Sequence, residues 1–254
     1  MIIYCSSFPD IDMSFLKDNG MGIEIIQYAN PVFLDGFDNN HAKTAQYMHG
    51  AMGASMHGAF YDLVYTSHDP LICEVARKRF VQSIKAAAFH SIERIVFHST
   101  YRNFHHGGSN AAMDDFLKKS IEFWQGFEQN IPDGMTVYLE NCEDEDPELF
   151  VRILEGINSP KIRCCFDMAH AFCNSSISMD RWIDTLGRWI EHVHLSDNDG
   201  SSDQHLPLGA GKAPLAGGIR KIIEQSGEDT VFVLECDASK SVLWLKEQGF
   251  MSRS

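Results

Sequence analysis

Residues 136–170, TVYLENCEDEDPELFVRILEGINSPKIRCCFDMAH, decide the fold. The opening β-branched and aromatic run, read as a strand over Thr136–Cys142, carries an acid, Glu140, near its end. Pro147 then starts a stretch with Leu149, Phe150, Ile153 and Leu154 at helical spacing, read as a helix over Pro147–Gly156. A second apolar run, Ile162–Met168, carries Asp167 at its end, with His170 three residues further on. Strand, helix and strand in so short a span imply parallel pairing, and both strands deliver a metal-binding type of residue at the same end.

With the two strands of this unit included, the same alternation runs eight times along the chain. The other candidate strands are Ile2–Ser7, Gly22–Gln27, Ala54–Phe60, Arg94–Ser99, Ile190–Leu195 and Thr230–Cys236. Helical patterns occupy Leu71–Phe89, Ala111–Asn130, Met179–Gly187, Pro214–Gln225 and Ser239–Gln248, with a short helix at Asp12–Asn19 and weaker signals over Asn39–Met52. Pro147 and Pro214 stand where first helical turns begin, and Gly156, Gly187 and Gly249 where helices stop. Eight such units in 254 residues is the size of a closed (β/α)8 TIM barrel of class α/β, expected as one domain over residues 1–254. An open doubly wound sheet would string its strand ends along an edge. A closed barrel gathers them at one mouth.

What stands at those ends is expensive to bury. The apolar runs close on His57 (ASMHGAF), His98 (RIVFHST), Glu140, Asp167 with His170, His194 (HVHLSD) and Glu235 (VFVLEC), and Asp203 and His205 (SDQHLPLG) follow in the loop after His194. Buried imidazoles and carboxylates need a partner that offsets the cost, and a cluster of divalent cations is the simplest one. A mixture of carboxylates and imidazoles suits Zn, Mn, Fe or Co better than Ca, which takes an all-oxygen shell. His41, His49, His68, His90 and His192 are read as ordinary core or loop histidines, with His192 taken to face away from His194 so that only one of them enters the mouth.

Composition narrows the partners. The formal charge is −14, with 21 Lys and Arg against 35 acids, which argues against nucleic acid and for a small-molecule substrate. The opening MIIYCSS has no basic segment or cleavage site, and no run reaches the roughly 18 apolar residues of a membrane span, so a cytoplasmic location is expected. Seven cysteines include no CxxC pair and mostly lie in apolar runs, the pattern of reduced, packed thiols. LGAGKAP at 208–214 lacks the features of a phosphate loop, and the acidic run Glu143–Asp146 reads as a solvated helix start.

The motifs MHGAF, VFHS, LENC, CFDMAHAF, HVHLSD, DQHLPLGAG and VLEC, in that order, resemble the xylose isomerase-like TIM-barrel superfamily. That superfamily includes the endonuclease IV group (AP endonuclease family 2) and many sugar-phosphate isomerases and epimerases. The resemblance to endonuclease IV implies three ions: one on His57, His98 and Glu140, a second on Glu140 (bridging), Asp167, His194 and Glu235, and a third on His170, Asp203 and His205. The isomerases imply only Glu140, Asp167, His194 and Glu235. Gln204 stands where the DNA-repair members carry Arg, and no basic loop set for a DNA backbone is evident.

Two functions follow as expectations. A metal-dependent hydrolase of a small phosphoester or amide, with two or three ions per chain, ranks first because nine ligands exceed what one ion needs. An isomerase or epimerase, in which Glu140 and Glu235 move a proton on opposite faces as in the epimerases the chain resembles, is the alternative. Lys212, Arg102, His105 and His106 are candidate contacts for substrate anions, and Phe8, Phe60, Tyr61, Phe104 and Phe172 candidate apolar walls.

Overall fold

The computed structural model describes residues 1–7, 11–102, 109–227 and 229–252. Eight parallel strands close into a barrel: β1 Ile2–Ser6, β2 Gly22–Ile25, β3 Ala54–His57, β4 Arg94–His98, β5 Thr136–Glu140, β6 Ile162–Asp167, β7 Ile190–Leu195 and β8 Val231–Leu234. Each pairs with its neighbour in sequence, and β8 returns to β1. Most strands stop one to three residues before the apolar runs do, because the chain leaves the ladder where it turns into the mouth.

Alternation along the strands sorts the side chains into two sets. Ile23, Ile25, Met56, Ile95, Phe97, Leu139, Phe166, Val193 and Phe232 point outward into one large core shared with the helices. Inward-pointing residues form separate small apolar layers, Tyr4 with Val231 and Val233, and Val96 with Tyr138 and Cys165. The polar ends of the strands sit above these layers. Register then decides which of them meet: His98 lies opposite Glu140 on β4 and β5, and Asp167 opposite His194 on β6 and β7.

Around the barrel run α1 Met13–Asp18, α2 Val32–Asp35, α3 Phe37–Met48, α4 Pro70–Phe89, α5 Asn110–Phe127, α6 Pro147–Ile157, α7 Met168–Asn174, α8 Met179–Leu186, α9 Leu215–Gln225 and α10 Ala238–Glu247. Asp69 and Asp146 cap α4 and α6 by accepting the amides of Leu71 and Glu148, each ahead of a proline in the first turn. Gly156 does not end its helix. It stays helical against Ile121, and Asn158 takes the left-handed terminal conformation at φ +51°. All seven cysteines are free. No helix among the described residues is long and apolar enough to cross a membrane.

Candidate metal centre

The nine residues expected as ligands converge on the C-terminal mouth of the barrel, beneath a cavity of about 540 Å³. Donor atoms of Glu140, Asp167, His194 and Glu235 all lie within 4.8 Å of one another, and so do those of His170, Asp203 and His205. His57 and His98 approach the same oxygen, Glu140 Oε2, at 3.1 and 3.4 Å. Glu140 thus occupies the junction, with His194 Nδ1 3.2 Å from its other oxygen.

The local structure aims these groups. Asp167 ends β6 and also caps α7, its Oδ1 accepting the His170 amide at 2.7 Å. The DMAH spacing therefore folds back on itself, and Oδ2 is left to the cavity floor. Asn141 ties β5 to β6, exchanging hydrogen bonds of 2.9 and 2.8 Å with the Asp167 backbone. Ring hydrogen bonds set the imidazoles. His57, His170 and His205 place Nδ1 against the carbonyls of Gly58, Asn141 and Glu235 at 2.9, 2.9 and 2.8 Å. A carbonyl only accepts, so Nδ1 carries the proton and Nε2 is turned toward Glu140 or Asp203. His205 holds a left-handed backbone, φ +47°, rare outside glycine, and its bond to the Glu235 carbonyl fixes it there.

Electrostatics follow from burial and mixed sign. Burial raises the Glu140 carboxyl, but the positive charge of His194 and the contact of His170 outweigh it and hold it well below the ordinary value. Burial leaves Asp167 and Glu235 raised despite His170 and His194 nearby. Burial drives His98 down to about 3, so it is neutral. His170 and His194 are lifted well above their usual value against the burial penalty, the first mainly by Asp167 and Asp203 and the second by Cys165, Glu235 and Glu140. The hydrogen bond that His205 donates to Asp203 raises its imidazole to about 9.

The residues present fit divalent cations. Asp167 Oδ2 and His194 Nδ1 are buried without a hydrogen-bond partner, and carboxylate oxygens and imidazole nitrogens crowd the same few ångströms. Such a gathering of lone pairs is what a cation of the Zn or Mn type satisfies.

The other expected contacts fare differently. Phe60 and Tyr61 line the cavity, and Phe60 stacks on His98 with centroids 4.2 Å apart. Phe172 is half-buried against the core beside Gly200. Lys212 is exposed and Arg102 pairs with Glu143, and neither lines the cavity. His105, His106, Phe8 and Phe104 lie outside the described residues. The described lining includes the carboxylates of Glu140, Asp203, Glu235 and Asp237 and no Lys or Arg.

Two readings need correcting. His192 does not face away from His194: residues two apart on a strand share a face, and both rings are fully buried inside the barrel. The acidic run is not wholly solvated, for Asp144 is buried and its Oδ2 accepts from Ser99 Oγ at 2.6 Å and the Cys142 amide at 2.9 Å. The LGAGKAP segment, read as no phosphate loop, spends its amides inside the protein: Asp197 accepts the N–H groups of Gly209, Gly211 and Ala213, each at 3.0 Å. Glu24, buried on β2 between Ser55, His192 and His194, was missed. An acid inside the apolar run GIEII carried the same signal as the strand ends.

A closed parallel barrel with a carboxylate–imidazole cluster at its C-terminal mouth defines a TIM-barrel protein whose residues could hold divalent metal. Residues 17–252 match the xylose isomerase-like TIM barrel family, and the chain belongs to it. Among its relatives, fructoselysine 3-epimerase of Escherichia coli O157:H7 is 33% identical over 100 residues, 39% of this chain and 35% of that protein. A protein named probable endonuclease 4 of Natronomonas pharaonis is 26% identical over 170 residues, 58% of this chain and 60% of its own length. The chain spans less than two thirds of the length of these curated relatives. The solved TTHB071 protein of Thermus thermophilus, soaked with ZnCl2, shares the fold at TM-score 0.79 and 24% identity over 100% of both chains.

Proposed function

We propose that the protein is a divalent-metal-dependent isomerase or epimerase of a small carbohydrate-like substrate. The observation that carries this reading is the four-donor set Glu140, Asp167, His194 and Glu235, of which Glu140 and Glu235 line the cavity, with Phe60 and Tyr61 as an apolar wall for the carbon face of a sugar. The named epimerase relative, 33% identical where it aligns, supports placing proton transfer ahead of the hydrolysis that the ligand count alone suggests.

Glu140, Asp167, His194 and Glu235 would hold the ion. A divalent ion there supplies a Lewis acid for the carbonyl and hydroxyl oxygens of the substrate. Glu235, whose carboxyl is raised by burial, would take a proton from the carbon beside the carbonyl in its ionised form, and Glu140, entering from β5 and supplied with a proton by the His57 imidazole 3.1 Å from it, would return one on the opposite face. Phe60 and Tyr61 orient the carbon skeleton and exclude water from that side.

Hydrolysis of a small phosphoester or amide is the second reading. It is favoured by His170, Asp203 and His205, which form a donor group that a single four-ligand ion leaves unused, and by His57 and His98 on Glu140. One experiment separates the two. The zinc- or manganese-loaded protein, incubated with ketohexoses and fructoselysine in D2O, is expected to place solvent deuterium on a sugar carbon with no bond cleaved. Cleavage of small phosphoesters or amides without such exchange, from a protein carrying three ions per chain, would establish the hydrolase.

A further inference from the structure

Three of the site's imidazoles owe their orientation to a main-chain carbonyl at Nδ1, and His194 is turned the other way. Its Nδ1 lies 3.2 and 3.5 Å from carboxylate oxygens of Glu140 and Glu235, while Nε2 lies 3.0 Å from Glu24 Oε1, both of these atoms buried and neither in a formed hydrogen bond, so that a small turn of the ring would join them. Glu24 is fully buried, and its second oxygen accepts from Ser55 Oγ at 2.8 Å and meets His192 Nε2 at 2.9 Å. A carboxylate with a donor on one oxygen and a second imidazole beside it can only serve as an acceptor toward His194. We infer that Glu24 is a positioning residue for the metal centre: by accepting the Nε2 proton of His194 it fixes the tautomer whose Nδ1 lone pair faces Glu140, Asp167 and Glu235.

The inference rests on the metal-binding reading of the site and goes one layer beneath it. A charged acceptor serves His194 for a physical reason. The two strands flanking the inner end of β7 offer their carbonyls to the barrel ladder, so the mouth-side solution used by His57, His170 and His205 is not open to a ring that points along the barrel axis. His192 fixes the second Glu24 oxygen, to which Ser55 Oγ also donates, so the side chains beneath the site reach β2, β3 and β7.

Glutamine at position 24 tests this. It is nearly isosteric but has one acceptor oxygen, so whichever way its amide turns, either His194 or the Ser55–His192 pair faces an NH2 group. Glu24→Gln is expected to weaken zinc binding by about 10–100-fold, the range for loss of an outer carboxylate partner, measured by competition with a chromogenic chelator. Ser55→Ala disturbs the same buried cluster yet leaves the Glu24–His194 contact, and is expected to keep zinc affinity within about threefold of wild type. Equal losses in the two variants would mean that packing alone matters and would overturn the inference. An independent measurement needs no variant: in zinc-loaded wild type with 15N-labelled histidine, His194 is expected to show a metal-shifted Nδ1 and a protonated Nε2. Zinc on Nε2 would refute the role of Glu24 even if metal dependence and proton transfer stood. Wild type that binds no zinc or manganese at all would remove the metal reading along with it.

Discussion

Replacing Asp197 with asparagine should open one loop of the site without unfolding the barrel. The Asp197 carboxylate is 1% exposed and accepts four main-chain N–H groups, from Asn198 at 2.9 Å and from Gly209, Gly211 and Ala213 at 3.0 Å. These bonds pinch together the two ends of the loop that carries Asp203 and His205. Asparagine keeps one acceptor oxygen and turns an NH2 group toward two of the amides. Two hydrogen bonds to a charged group, at about 1.5–3 kcal/mol each, give a loss of about 3–6 kcal/mol. Gly209 is exposed and its amide regains water, so about 3 kcal/mol is the expected local cost. Hydrogen exchange resolves it residue by residue: protection at Gly209, Gly211 and Ala213 should fall by about two orders of magnitude while β4 and β5 stay protected. Any zinc that the His170–Asp203–His205 group takes up in the wild type should be lost with it. Unchanged protection at those three amides would refute the clamp.

Further outcomes follow from the same geometry. Glu140→Gln should lower turnover by at least about 100-fold and cut metal affinity while leaving the circular dichroism spectrum intact, since the strands are held by apolar contacts; wild-type turnover would end both catalytic schemes. His205→Ala leaves the four-donor set and the His57 contact with Glu140 whole, so an epimerase should keep its rate within about tenfold, and a collapse beyond about 100-fold would transfer the assignment to hydrolysis. Burial raises Asp144 from 3.8 to about 6, so the folded state binds its proton more tightly than the unfolded chain does. Its contribution is therefore complete below pH 3.8 and lost as pH rises through about 6, about 3 kcal/mol in all. Urea unfolding of metal-free protein should show that decline, and Asp144→Asn should flatten it.

The strand ends were legible because a charged residue closing an apolar run demands an explanation wherever it occurs, and register did the rest: His98 beside Glu140, and Asp167 beside His194. Less was legible where the partner is main chain. Asp197 reads as one acid among many, since the amides of Gly209 and Gly211 that hold it have no letter of their own. The seven-residue α7 hid between a strand and a loop, too short for periodicity to register, although Asp167 as its cap was in plain view. His192 was misplaced by an error of parity rather than by missing information, and with it went the view down to Glu24. The substrate contacts remain the least legible, because Lys212 and Arg102 turn outward or pair with neighbours instead of facing the cavity.

The cavity that lacks Lys and Arg among its described lining also sets a sequence of events. Four carboxylates at a concave mouth, on a chain of net charge −14, draw divalent cations in and repel anions. A substrate with negative or electron-rich oxygens meets an unfavourable field until the ions have arrived. If the site takes metal as proposed, loading would be ordered, metal first and substrate second, and the lag in activity after metal is restored to chelated protein should depend on ionic strength rather than on substrate concentration.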